Sequence, residues 1–138
     1  MMRELVKALY ELAQKDKNVI WLSADSGGEF DILFYRDFPN QYFNVGIAEE
    51  NMIGIASGLS SYGMVPYGSS SSSFLAYRAF EFIRDDICFQ QKNVKIYGFA
   101  SGVSFSRLGP THHATEDISI LRTLPHLTIL SPASPKEA

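Results

Sequence analysis

Two adjacent carboxylates, Glu49 and Glu50, stand in an otherwise almost uncharged stretch, FNVGIAEENMIGIASGLSS (residues 43–61). Acids in the first turn of a helix complement its macrodipole, and that alone accounts for either of them. A second account gives one of them chemistry. Ala48, Met52, Ile55, Ala56 and Leu59 share one face of a helix over about 47–62. The segment is apolar on nearly every side, so it reads as a buried helix. Burial favours the protonated form of an acid, and a carboxyl group that holds a proton near neutrality can act as an acid. Gly54 and Gly58, four residues apart, point to close approach of another backbone.

Other residue types with chemical potential cluster in LGPTHHATED (108–117). His112 and Glu116 lie at i and i+4, as do His113 and Asp117. Imidazole with carboxylate is a workable metal pair, but the spacing is common, and a helix start with acids near its N-terminus explains Glu116 and Asp117 without a metal. It does not explain two histidines after Gly109-Pro110-Thr111. A Gly-Pro turn that presents imidazole at the ends of strands reads as a site.

The serine run 69–73 reads by composition as a flexible loop. The alternative is a connection whose hydroxyls and N–H groups line a pocket, with Ser73 capping a helix that begins at 74. Asp25 with Gly27 and Gly28 reads as a plain turn. Cys88 falls in an apolar helical pattern, as a core residue rather than a nucleophile. No G-x-S-x-G elbow supports Ser-His-Asp catalysis.

The elements that must position these residues alternate. Helical spacing predicts helices over 2–16, 47–62, 74–91 and 116–124, and short apolar runs predict strands at 19–24, 42–45, 64–68, 94–100 and 127–130. Residues 29–41 are mixed and aromatic, read as short irregular or helical turns. Gly63 ends the second helix. Helices alternating with apolar, β-branched strands indicate an α/β fold with a parallel sheet covered on both faces. Ligands in such sheets sit at the carboxyl ends of strands, here 25–28, 68–73 and 101–113.

The 138 residues fit one domain with a hydrophobic core. A net charge of -3 without a basic cluster argues against a nucleic-acid partner, and no apolar run is long enough for a membrane span. With a single cysteine and no visible signal peptide, the expected setting is the cytoplasm. Ser134-Pro135 reads as a helix start at which the chain stops, so a fragment of a longer protein is expected.

Taken together, FNVGIAEENMIGIASGL, FLAYRAFEFIRDDICFQ, LGPTHHATEDISILRTLP and ILSPASPKEA, in this order and spacing, resemble the pyrimidine-binding domain of transketolases. The likeness is closest to the C-terminal subunits of transketolases split into two chains. 1-Deoxy-D-xylulose-5-phosphate synthase is similar but more distant. The resemblance covers essentially residues 1–138, and its specific blocks are 44–58 and 109–117.

That resemblance implies a three-layer α/β/α thiamine-diphosphate-binding fold. It implies thiamine diphosphate held between two chains, with the diphosphate bound through a divalent metal (Mg or Ca) by a partner domain and the aminopyrimidine held by this one. It implies transfer of a two-carbon ketol unit between sugars or sugar phosphates, no activity without the diphosphate-binding domain, and a homodimer. Glu49 matches the family glutamate that bonds the pyrimidine ring nitrogen opposite the amino group, which favours the imino form that takes the thiazolium C2 proton. Glu50 occupies a variable position. His112 matches the histidine that faces cofactor and substrate hydroxyls, and Asp25 an acid near the cofactor.

Departures from the family pattern matter too. Where an aromatic residue usually packs on the pyrimidine, this chain has Ser71 or Ser72, and Phe74 is the nearest ring to take the role. An aspartate used on sugar hydroxyls is replaced by Leu108, and a histidine aligns near Ala100. These leave open a binding or regulatory module on the same fold. The β subunit of a 2-oxoacid dehydrogenase is a further alternative, against which GPTHHATED argues.

Overall fold

A computed structural model describes residues 2–137. In chain order the elements are α1 (Met2–Lys15), β1 (Val19–Ser23), α2 (Glu29–Asp37), β2 (Tyr42–Asn44), α3 (Glu49–Ser61), β3 (Val65–Ser71), a helical run over 74–89 called α4, β4 (Lys95–Phe99) and α5 (Asp117–Leu121). The four strands pair in the order β2-β1-β3-β4, every pair parallel. Alternation along β1 sends Val19 and Trp21 to one face and Ile20 and Leu22 to the other. Val6, Leu9 and Ala13 of α1 and Phe34 of α2 cover the first face. Met52, Ile53 and Ala56 of α3, with Leu75, Ala79, Ile83 and Ile87 of α4, cover the second. The fold is the expected three-layer α/β/α arrangement.

Each helix follows from its apolar spacing and its stops. On α1 the buried positions fall three and four apart, and Asp16 Oδ1 then accepts from the Asn18 N–H at 2.8 Å, a side-chain turn that releases the chain into β1. Gly63, at φ +82, ends α3 as expected. Cys88 is a buried, unpaired core residue whose thiol burial pushes up, away from the reactive thiolate.

Five expectations change. Residues 29–37 form a true helix, because Phe30 and Phe34, four apart, turn toward Trp21 and α1, and Phe34 stacks on Trp21 at 5.6 Å. The serine run is not a loop at its start: β3 continues through Ser71, with Ser69 paired to Ser23 on one side and to Tyr97 on the other. Ladder bonds from two neighbours outweigh the weak strand preference of serine.

The long helix is wound in wide turns at both ends. Ala79 N–H donates to Phe74 O at 3.3 Å, and Lys92 N–H to Ile87 O at 2.9 Å, each five residues back. Residues 127–130 form no strand. Pro125 and His126 (φ +62) turn the chain before them, and without ladder partners only Leu127 leans on the core while Leu130 is exposed. Finally, α3 is one-sided: Asn51, Gly58 and Ser61 lie on its outward side, and a Cβ on Gly58 would meet nothing within 4 Å.

Candidate functional site

The junction of β2 and α3 places Glu49. Gly46, at φ +76, turns the chain there: its N–H donates to Asn44 Oδ1 at 2.9 Å, and its carbonyl accepts from Ala48 N–H at 2.8 Å. Glu49 is therefore the first residue of α3 and lies under the end of β3, only 1% exposed. Ser70 Oγ donates to Glu49 Oε1 at 2.8 Å, and Arg78 Nη1 donates to Oε2 at 2.7 Å. Two oxygens in the interior thus meet a hydroxyl and a cation, which is what a buried carboxylate requires. The expected proton-holding acid is, in this chain by itself, an ion-paired one. Glu50 points elsewhere, half-buried and without an ion pair among the described residues.

Around the pair stand aromatic rings. The Arg78 guanidinium lies over the Phe74 ring, 4.8 Å from its centroid. Both belong to the first wide turn of α4, which sets them on one side of the helix. His112 meets the same Phe74 edge-to-face at 5.2 Å and Phe105 at 6.0 Å. Its backbone N–H donates to Gly109 O at 3.0 Å, so the Gly-Pro turn is closed on His112 in the loop that follows the carboxyl end of β4. Mutual donation between Gly102 and Ala114 backbones (3.0 and 2.8 Å) closes the 101–113 loop at its base.

The remaining serines serve a neighbouring buried acid. Asp117 Oδ2 accepts from Ser72 Oγ at 2.5 Å and Ser101 Oγ at 2.6 Å, which ties β3, the loop and α5 together. A Cβ on Gly98 would lie 3.1–3.3 Å from Ser72 atoms, so glycine gives Ser72 its room beside β4. Ser71 Oγ pairs with Ser73 Oγ at 3.1 Å. The i, i+4 pairs of 112–117 do not come together as ligands: Glu116 accepts from Tyr77 OH at 2.6 Å, and His112 Nδ1 meets Thr111 Oγ1 at 3.0 Å. Asp117→Ala should leave two hydroxyls unpaired and cost about 2–3 kcal/mol, checked by urea unfolding, with Glu116→Ala near neutral.

Structure thus brings Glu49, Phe74 and His112 into one cluster and leaves Ser71 and Ser72 as its scaffold. Asp25 stands apart, at φ +55 after β1, accepting from Asn44 Nδ2 at 2.8 Å. Sequence reading missed Ser70 and Arg78. Two signals were present: reading 65–71 as a strand sets alternate serines facing α3, and Arg78 falls four residues after Phe74.

A profile of the family described as "Transketolase, pyrimidine binding domain" matches residues 2–138. The chain belongs to this family. It is 39% identical over 127 residues to a putative transketolase C-terminal section of Methanocaldococcus jannaschii, covering 91% of this chain and 40% of that one. It is 33% identical over 136 residues to one of the subunits of apulose-4-phosphate transketolase from Phocaeicola vulgatus, covering 98% and 44%. This transketolase-type domain therefore spans about two fifths of those relatives' lengths. Among solved structures, a split gene transketolase described as an inactive β4 tetramer superposes with TM-score 0.76 at 40% identity, over 89% of this chain and 39% of that one.

Does the pyrimidine-binding domain seen here fit a flat nitrogen heterocycle? The cluster already holds a planar, N–H-bearing group between the Glu49 carboxylate and the Phe74 face, namely the Arg78 guanidinium. A carboxylate oxygen and an aromatic face are thus placed to bond and cover a flat group. The described residues contain no group of three or more His, Cys, Asp or Glu side chains able to hold a metal. No helix among them is long and apolar enough to cross a membrane.

Proposed function

We propose that this chain is the pyrimidine-binding part of a thiamine-diphosphate-dependent enzyme that transfers a two-carbon ketol unit between sugars or sugar phosphates. The observation that carries the reading is Glu49, a buried carboxylate at the carboxyl ends of a parallel sheet, facing an aromatic ring that already carries a planar cation. When bound, thiamine diphosphate supplies a nucleophilic carbon that can accept and hand on a ketol unit. Glu49 would hold a proton at the pyrimidine ring nitrogen opposite the amino group. Phe74 would pack on that ring, His112 would contact substrate hydroxyls, and Ser71 and Ser72 would keep the strand end in place. Asp25 would approach the cofactor from the next strand.

The diphosphate and its Mg or Ca ion fall to a diphosphate-binding domain or subunit, in line with a relative that is itself one subunit of a transketolase and so implies a second chain. Alone, the chain would be inactive, as the related tetramer is described to be. The outward side of α3, with Gly58 open, is the face proposed for the homodimer. The single buried cysteine suits a cytoplasmic setting.

Mixing the full chain with its diphosphate-binding partner, Mg2+ and thiamine diphosphate tests this by calorimetry and by a ketose-to-aldose assay. Saturable cofactor binding that needs both chains, with ketol transfer, is the expected result. Failure to bind thiamine diphosphate with any such partner would return the chain to the regulatory reading.

A further inference from the structure

Arg78 has no place in the chemistry described so far, yet it holds the centre of the cluster. Its Nη1 donates to Glu49 Oε2 at 2.7 Å, while its guanidinium carbon lies over the Phe74 ring, 4.8 Å from the centroid. The carboxylate is 1% exposed and the arginine side chain 41%. One partner is fixed in the interior; the other reaches in from the surface and has a route back to water.

Resting on the reading proposed above, we propose that Arg78 is an internal occupant of the pyrimidine subsite. A flat cation bonded to Glu49 and lying over Phe74 takes up the carboxylate oxygen and the ring face that an aminopyrimidine would use there. Guanidinium and heterocycle compete for one carboxylate oxygen and one ring face, so Arg78 must swing outward before the cofactor is fully held. The device has a physical reason. Without a cation, the unassembled chain would bury an unpaired carboxylate, a large penalty in a low-dielectric interior. Arg78 removes that penalty while the cofactor is absent, and lowers the apparent affinity of whatever must displace it.

Cofactor titration of the two-chain enzyme tests this with Arg78→Ala and Arg78→Lys, read by calorimetry and by thermal shift rather than by turnover. Arg78→Ala should bind thiamine diphosphate roughly tenfold more tightly than the parent. Its cofactor-free form should melt lower, so that the cofactor-induced rise in Tm is larger. Arg78→Lys keeps the charge but not the planar fork, and should fall between the two. Millimolar methylguanidinium should weaken cofactor binding in Arg78→Ala and leave the parent unchanged.

An unchanged or weaker affinity in Arg78→Ala, with the parent binding normally, would overturn the proposal and make Arg78 a supporting contact for the cofactor. If Arg78→Ala does not fold, Arg78→Lys decides by the same comparison. Absence of binding in every form, parent included, overturns the cofactor reading itself and this proposal with it.

Discussion

Glu49→Gln is expected to lower turnover of the assembled enzyme by a factor of about 10²–10⁴, the usual worth of a positioned acid or base, while leaving the fold in place. The amide is nearly isosteric, and its oxygen still accepts from Ser70 Oγ, the 2.8 Å bond of the parent. What it cannot do is exchange a proton with the pyrimidine nitrogen. Nor can its NH2 face Arg78 without setting donor against donor. Because the Arg78 side chain is 41% exposed, the guanidinium can turn outward and recover hydration, so the stability loss should stay near about 1–2 kcal/mol, below that of a fully buried pair. Large kinetic loss with small thermodynamic loss separates a chemical role from a structural one. The measurement is kcat with the cofactor saturating, beside a urea midpoint for the same variant. Full activity in Glu49→Gln would remove this carboxylate from the mechanism.

That Glu49 could be singled out in the sequence reflects how local its signals are. A helix start, an apolar helical face and a glycine turn are written within a few residues of one another, and α1, α3 and the Gly109-Pro110 turn were legible for the same reason. Misreadings occurred where long-range partners decide conformation. Ser69 to Ser71 have loop composition, yet β4 pairs with all three and β1 with Ser69. Residues 127–130 have strand composition, yet no strand accepts them among the described residues. Arg78 falls four residues after Phe74, but its pairing was not legible, because its partner lies 29 positions away and a wide helical turn decides where its side chain points. The position and burial of the acid were readable; the identity of its counter-ion was not.

Asp31→Ala is expected to destabilise the chain by about 3–5 kcal/mol, a drop in Tm of roughly 10–20 °C for a domain of this size. Asp31 is 8% exposed and accepts three hydrogen bonds: Trp21 Nε1 at 3.1 Å, Ser23 Oγ at 2.6 Å and the Gly27 N–H at 3.1 Å. Removing the carboxylate leaves all three donors in the interior with nothing to meet, and the loss exceeds that of one ordinary hydrogen bond. Gly27 is shaped by the same contact. A Cβ there would collide with the Asp31 carboxylate, so Gly27→Ala must either expel the carboxylate or lift the loop. The two single variants should therefore resemble each other, and the double variant should cost clearly less than their sum, since each breaks the same contact. Asp25→Ala is the control: Asp25 is exposed, its partner is Asn44, and its stability effect should stay within about 1 kcal/mol. Chemical denaturation of the four variants decides. An Asp31→Ala loss no larger than that of Asp25→Ala would mean that the loop after β1 is held by its backbone alone. With the expected ordering, the buried acid of α2 fixes residues 25–28 at the strand end, and Asp25 owes its position there to Asp31.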